Sequence, residues 1–279
     1  MVRKRNVPKR ANFLVVLLAA LGTACSDVSL GPSIAASLEF PYLPAPALAI
    51  GDSLRDANGL AAPARAIVRN QQGEVLTNAP VRFFYADALR DTAVFVDSLT
   101  GYIVSLRAFS GSATTARIAA RVGATLQAIR TVQITIRPDS VARTGSPTID
   151  TLRTTLPDTG RAAASANSSA ALTVTVRHIE SGTATLVPNW LVKYELLRPA
   201  NPTNDSTASV FLVNEARAVS NIDTTDASGI ASRFVRVRSS RFPASAAVDS
   251  AVVRVTVSYK GLPVKGAPIR LVVPIIRKP

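Results

Sequence analysis

The feature that most limits how this chain can fold is a period of two in its apolar residues, repeated from segment to segment. Val81, Phe83 and Tyr85 fall on one side of an extended chain and Arg82 on the other. Val132, Ile134 and Ile136 alternate with Gln133, Thr135 and Arg137, and Leu172, Val174 and Val176 with Thr173, Thr175 and Arg177. Trp190, Val192, Tyr194 and Leu196 alternate with Lys193 and Glu195; Val253, Val255, Val257 and Tyr259 alternate with Arg254, Thr256, Ser258 and Lys260. An extended strand puts every second side chain on one face, so each segment predicts a strand half-buried against a core. Turn residues punctuate them at Gln71-Gln72-Gly73, Asn78-Ala79-Pro80, Ser228-Gly229 and Lys260-Gly261. No amphipathic helix of convincing length interrupts the pattern. Short strands at this spacing predict an all-β protein built of stacked antiparallel sheets.

Composition narrows the chemistry. The chain has 279 residues, enough for one or two domains. Apolar residues are 47% and aromatics 5%, so the core is aliphatic. The single Cys excludes an internal disulfide framework and any Cys-based zinc site. The single His excludes multi-His metal sites and leaves one candidate for His-based catalysis. The expectation is a protein with no metal, no cofactor and no enzymatic activity.

The N-terminus reads as an export address. Arg3, Lys4, Arg5, Lys9 and Arg10 precede the apolar run Phe13–Leu21, and Gly22-Thr23-Ala24-Cys25 follows. A basic stretch, a short apolar run and small residues describe a signal peptide over residues 1–24. The run is too short to span a bilayer, which takes about 20 residues. The only cysteine falls where the signal ends, and the segment resembles a bacterial lipobox, although Gly22 stands where Leu is usual. The resemblance implies that Cys25 becomes the acylated first residue of the mature chain, and Ser26 resembles the outer-membrane-directed class. Several acyl chains would anchor it stably. Losing residues 1–24 removes five of 32 cations and leaves 27 against 18 acids, about +9. Such an excess favours phosphate-rich headgroups or acidic envelope polymers.

Residues 25–48, with Pro32, Pro41, Pro44 and Pro46, read as a lipid-anchored tether. Residues 49–137 form a first unit, 138–148 a linker and 149–279 a second unit. The units echo one another. Asp52-Ser53-Leu54-Arg55 matches Asp150-Thr151-Leu152-Arg153; Val81-Arg82-Phe83-Phe84-Tyr85 matches Leu191-Val192-Lys193-Tyr194; Thr100-Gly101-Tyr102-Ile103 matches Asp226-Ala227-Ser228-Gly229-Ile230. A fixed order of similar strands means two copies of one module.

These residues also resemble a family. Ala66–Val75 followed by Ala79-Pro80-Val81-Arg82-Phe83 looks like the opening of a bacterial immunoglobulin-like domain of the invasin/intimin type. Thr225-Asp226-Ala227-Ser228-Gly229-Ile230-Ala231 is similar to the Thr-Asp-x-x-Gly-x-Ala segment of that family. The first unit departs at Ser98-Leu99-Thr100-Gly101-Tyr102, which lacks the aspartate just before the turn. The second departs at Thr183-Ala184, where Pro-Val is usual. The resemblance implies two tandem immunoglobulin-like antiparallel β-sandwiches after a signal peptide and a Pro-rich tether. It also implies a non-catalytic stalk or adhesion role.

The candidate sites are few. Arg233, Arg236, Arg238 and Arg241 form the densest basic cluster, and Arg236 and Arg238 share a strand face able to meet an anion. Asn221, Asp223 and Asp226 could offer oxygens to calcium, but calcium takes six to eight, and a polar turn is the better reading. Trp190 and Tyr194 could stack on a sugar, but they share the core face with Val192 and Leu196. His178 lacks a Gly-x-Ser-x-Gly elbow and reads as a strand-edge histidine. The function expected is a cell-envelope lipoprotein acting in adhesion, surface presentation or envelope protein interaction. Its partners are the membrane, through the N-terminal lipid, and a protein or acidic polymer. Nucleic acid is disfavoured by the export signal and by the lack of aromatic interleaving. The alternatives are a periplasmic carbohydrate- or polymer-binding module and an enzyme centred on His178.

Overall fold

The computed structural model describes residues 33–87, 93–107, 115–145, 149–154, 167–199, 207–241 and 248–277. The expected signal peptide, Cys25 and residues 26–32 lie outside them, as do residues 155–166. Among the described residues the only helical element is a single 3₁₀ turn, Ser239–Arg241; everything else regular is strand.

The first unit contains β1 (Ser37–Tyr42), β2 (Ala47–Ala49), β3 (Arg65–Arg69), β4 (Arg82–Tyr85), β5 (Val94–Val96), β6 (Ile103–Ser105), β7 (Thr115–Val122) and β8 (Leu126–Thr135). One layer is the sheet β2-β8-β7-β4; the other comprises the pairs β1-β3 and β5-β6. Between the layers lie Leu48, Leu54, Phe83, Tyr85, Ile103, Ile118 and Val132.

The second unit opens with β9 (Ser140–Arg143), β10 (Leu152–Thr154), β11 (Leu172–Glu180), β12 (Thr183–Leu186) and β13 (Leu191–Arg198). It continues through β14 (Val210–Val213), β15 (Ile222–Thr224), β16 (Ile230–Val237) and β17 (Val248–Thr256). It closes with β18 (Ser258–Tyr259), β19 (Leu262–Pro263) and β20 (Ile269–Arg277). The sheet β10-β20-β17-β13-β15 faces β12-β11-β16-β14, and β9 pairs with β11. Val174, Val176, Val192, Tyr194, Leu212, Val235, Val253, Val255 and Val273 fill the space between.

The two strand orders coincide. β2-β8-β7-β4 matches β10-β20-β17-β13, and in each the short first member runs parallel to the closing strand. The pairs β1-β3 and β5-β6 correspond to β9-β11 and β14-β16. The molecule is therefore one immunoglobulin-like sandwich, antiparallel but for that one parallel pair, built twice, each with its own aliphatic core.

Three sequence readings shift. Residues 37–48, read as the end of the tether, hold β1 and most of β2, with Phe40 and Leu48 in the first core. Residues 140–143, read as linker, are β9, with Val141 in the second core. The motif Asp150–Arg153 does not correspond to Asp52–Arg55. Its Leu152 begins β10, whose counterpart is β2, so the true partner segment lies around Leu48.

Candidate functional site

The four arginines of the expected anion cluster do not act together. Along β16 the odd positions face inward: Ala231, Arg233, Val235 and Val237 are all buried. Arg233 is thus drawn inside, where its Nη1 lies 2.7 Å from Asp223 Oδ1 and its Nη2 donates to the Ile222 carbonyl. Arg236 stands on the outer face over the Phe211 ring, 5.8 Å from its centre. Arg238 shares that face, half-buried. Arg241 ends the 3₁₀ turn and donates to the Thr207 carbonyl. Only Arg236 and Arg238 remain a pair on one side.

The acids of the expected polar turn are engaged within the protein. Asp223 Oδ2 accepts the Ser232 N–H at 2.6 Å while Oδ1 pairs with Arg233. Asp226 Oδ1 accepts the N–H groups of Ser228 and Ile230, and the Asn221 carbonyl accepts from the Tyr194 N–H. Gly229 ends that turn at φ +65°, and a Cβ there would meet the Val176 carbonyl oxygen at 2.8 Å, so only glycine fits.

The aromatic platform is closed. Trp190 is 7% exposed and Tyr194 not at all. Burial pushes the Tyr194 phenol far above its ordinary range, with the Asp223 charge adding to it. His178 Nδ1 lies 2.6 Å from Asp139 Oδ2 at the end of the segment joining the units, and Asp139 also accepts the Ile179 N–H. The acid is shared with Arg137, 3.4 Å away.

What the sequence reading missed is the junction between the two sandwiches. Asp52, 6% exposed, takes both Nε and Nη2 of Arg55 at 2.7 and 2.6 Å, a two-pronged pair. Arg55 Nη1 donates to the Gly59 carbonyl, and the guanidinium lies over the Tyr259 ring of the second unit, 5.5 Å from its centre. Burial pushes the Asp52 carboxyl up, but the Arg55 guanidinium and the Ser53 N–H outweigh it and hold the carboxyl below its usual value. Burial and the hydrogen bond to Asp52 push the Tyr259 phenol up to about 12.

The contact continues around this pair. The Gly261 N–H donates to the Gly59 carbonyl at 2.9 Å, Lys193 Nζ donates to Asn58 Oδ1 at 3.1 Å, and Thr135 Oγ1 donates to the Pro188 carbonyl at 3.1 Å. Trp190 packs against Tyr259 with ring centres 6.1 Å apart. Leu191 of the second unit packs on the first core, and Ala49 of the first joins the second core. The motif Asp-Ser-Leu-Arg was visible in the sequence. Its role was not, because its partner lies about 200 positions away.

Neither a protein-family model nor a curated protein sequence matches this chain. Among solved structures, the adhesin InvE of Yersinia pseudotuberculosis aligns over 83% of this chain and 57% of its own, at 17% identity and a TM-score of 0.29. The EC1-2 segment of human protocadherin-24 aligns over 88% of this chain and 99% of its own, at 12% identity and 0.26. The human desmocollin-1 ectodomain aligns over 87% of this chain and 42% of its own, at 10% identity and 0.26. This chain thus spans a little over half of the Yersinia protein. Likenesses this distant carry no inference; the fold assignment stands on the strand order alone.

Proposed function

We propose that this chain is a non-catalytic cell-envelope lipoprotein whose two immunoglobulin-like modules form a stalk for adhesion, surface presentation or contact with another envelope protein. The observation that carries the reading is the junction. Two sandwiches sharing one covalent link are free to swing unless their surfaces interlock, and inter-domain motion is the ordinary expectation. Here the Asp52–Arg55 pair, the Tyr259 ring and the Gly59–Gly261 contact bind the end of one sandwich to the other. A locked junction holds length and direction, which a spacer needs and which a flexible tandem lacks.

The N-terminal half of the reading places the protein outside the cytoplasm, held to the outer membrane by acyl chains on Cys25. The basic n-region, the nine-residue apolar run and the lone thiol at its end support it. Labelling cells with radioactive palmitate tests it. Label is expected in the wild-type protein and not in Cys25→Ala, and equal labelling of the two would discard the anchor.

A further inference from the structure

The pole of the first sandwich that lies away from the junction combines an apolar groove with an unopposed pair of cations. Strands β4 and β7 place Arg82 and Arg121 directly opposite one another, both exposed. Like charges at opposed positions of a sheet repel and weaken the pairing. Arg121 rests over the Phe84 ring, 5.4 Å from its centre. Among the described residues no carboxylate pairs with either arginine, whereas the nearby Arg69 is taken by Glu39 at 3.1 Å and Glu74 is held by Asn70. Next to the pair, Ala35, Val75, Leu76, Pro80, Val122 and Gly123 line a groove of about 560 Å³ that also includes Ser33. Val75 is 52% exposed, and Leu99, in the turn whose Ser98 carbonyl accepts the Phe83 N–H, is 67% exposed. Exposed apolar side chains gathered beside cations mark a contact surface.

The chain itself favours one occupant. Eight residue steps separate Cys25 from Ser33, which at full extension span at most about 28 Å. If Cys25 is acylated, as proposed above, this pole cannot leave the neighbourhood of the bilayer, whereas the second sandwich points away from it. We propose that this pole docks on an anionic lipid surface. Arg82 and Arg121 engage lipid phosphates, and Val75, Leu99 and the groove meet the headgroup and acyl boundary. The contact would supply the second, electrostatic signal that complements acyl anchoring and would stand the stalk upright.

The test uses secreted Cys25→Ser protein, which carries no acyl chain, so its outcome is separate from that of the palmitate experiment. Flotation is measured at low ionic strength with vesicles of phosphatidylcholine alone or mixed with phosphatidylglycerol. Binding to the anionic vesicles is expected, with weak binding to the neutral ones. Arg82→Glu/Arg121→Glu should lower it by more than about thirty-fold. Arg82→Gln/Arg121→Gln should lower it by less, with an unchanged circular dichroism spectrum. Arg236→Glu/Arg238→Glu, which changes net charge equally at the far unit, should leave it intact. Equal binding to both vesicle types, or equal losses in both Glu pairs, would overturn the proposal. So would preferential capture by soluble dextran sulfate, which would assign the pole to an acidic polymer instead.

Discussion

Asp52 shows how one carboxylate can couple two domains. Its two oxygens hold Arg55, and Arg55 in turn covers Tyr259. Asp52→Asn removes one of the three acceptors of the Arg55 guanidinium together with the opposing charge, and hydrogen bonds to charged groups contribute about 1.5–3 kcal/mol. That loss is expected in urea unfolding at neutral pH. The folded-state value of Asp52 is depressed, so the stability it confers is present above the unfolded carboxyl value of about 4 and fades as pH falls through the folded value. The gap between wild type and Asp52→Asn should accordingly stay constant between about pH 5 and pH 9 and close in strong acid; a gap that widens on acidification would contradict the assignment. Arg233 carries the opposite lesson. Its position in phase with Val235 and Val237 turns it to the inward face, a signal that the sequence reading passed over when it grouped Arg233 with three other arginines. The sequence could not show that Asp223 waits there to receive it.

Strands were legible wherever apolar and polar residues alternate over four or more positions, as in β13 and β16. They were lost where local chemistry disguises them. In β1, Pro41 mimics a linker, yet its strand is an edge strand, where a missing N–H is tolerated, and the register shifts between Glu39 and Tyr42 to accommodate it. β9 sits between Pro138 and Gly145 and looks like a hinge until Val141 is seen in the core. β14 is buried at all four positions, so it has no alternation to read. Leu212 in that strand is fully buried, and Leu212→Ala should cost about 2–5 kcal/mol in chemical denaturation. Leu186, on the exposed outer strand β12, should cost well under 1 kcal/mol on the same change. Similar losses at the two sites would mean that the second core is not where the strand order places it.

At the level of the whole molecule, the prediction is coupling. Gly59 adopts φ +76°, and a Cβ there would meet the Ser258 carbonyl carbon at 2.9 Å, so Gly59→Ala strains the turn and pushes on the second unit. Wild-type protein should unfold in one calorimetric transition, and Gly59→Ala should separate it into two and raise the radius of gyration in solution scattering. A wild type that already melts in two independent steps would show the junction to be loose. The parallel pairing of β2 with β8, and of β10 with β20, has a mechanical corollary. In each sandwich an early strand and the last one run the same way, so a pull between tether and C-terminus slides them lengthwise against each other. Their interstrand bonds then share the load at once rather than parting singly like a zip. Stretched one molecule at a time, each module should yield abruptly at high force, and a tandem of this build can bear tension along its length.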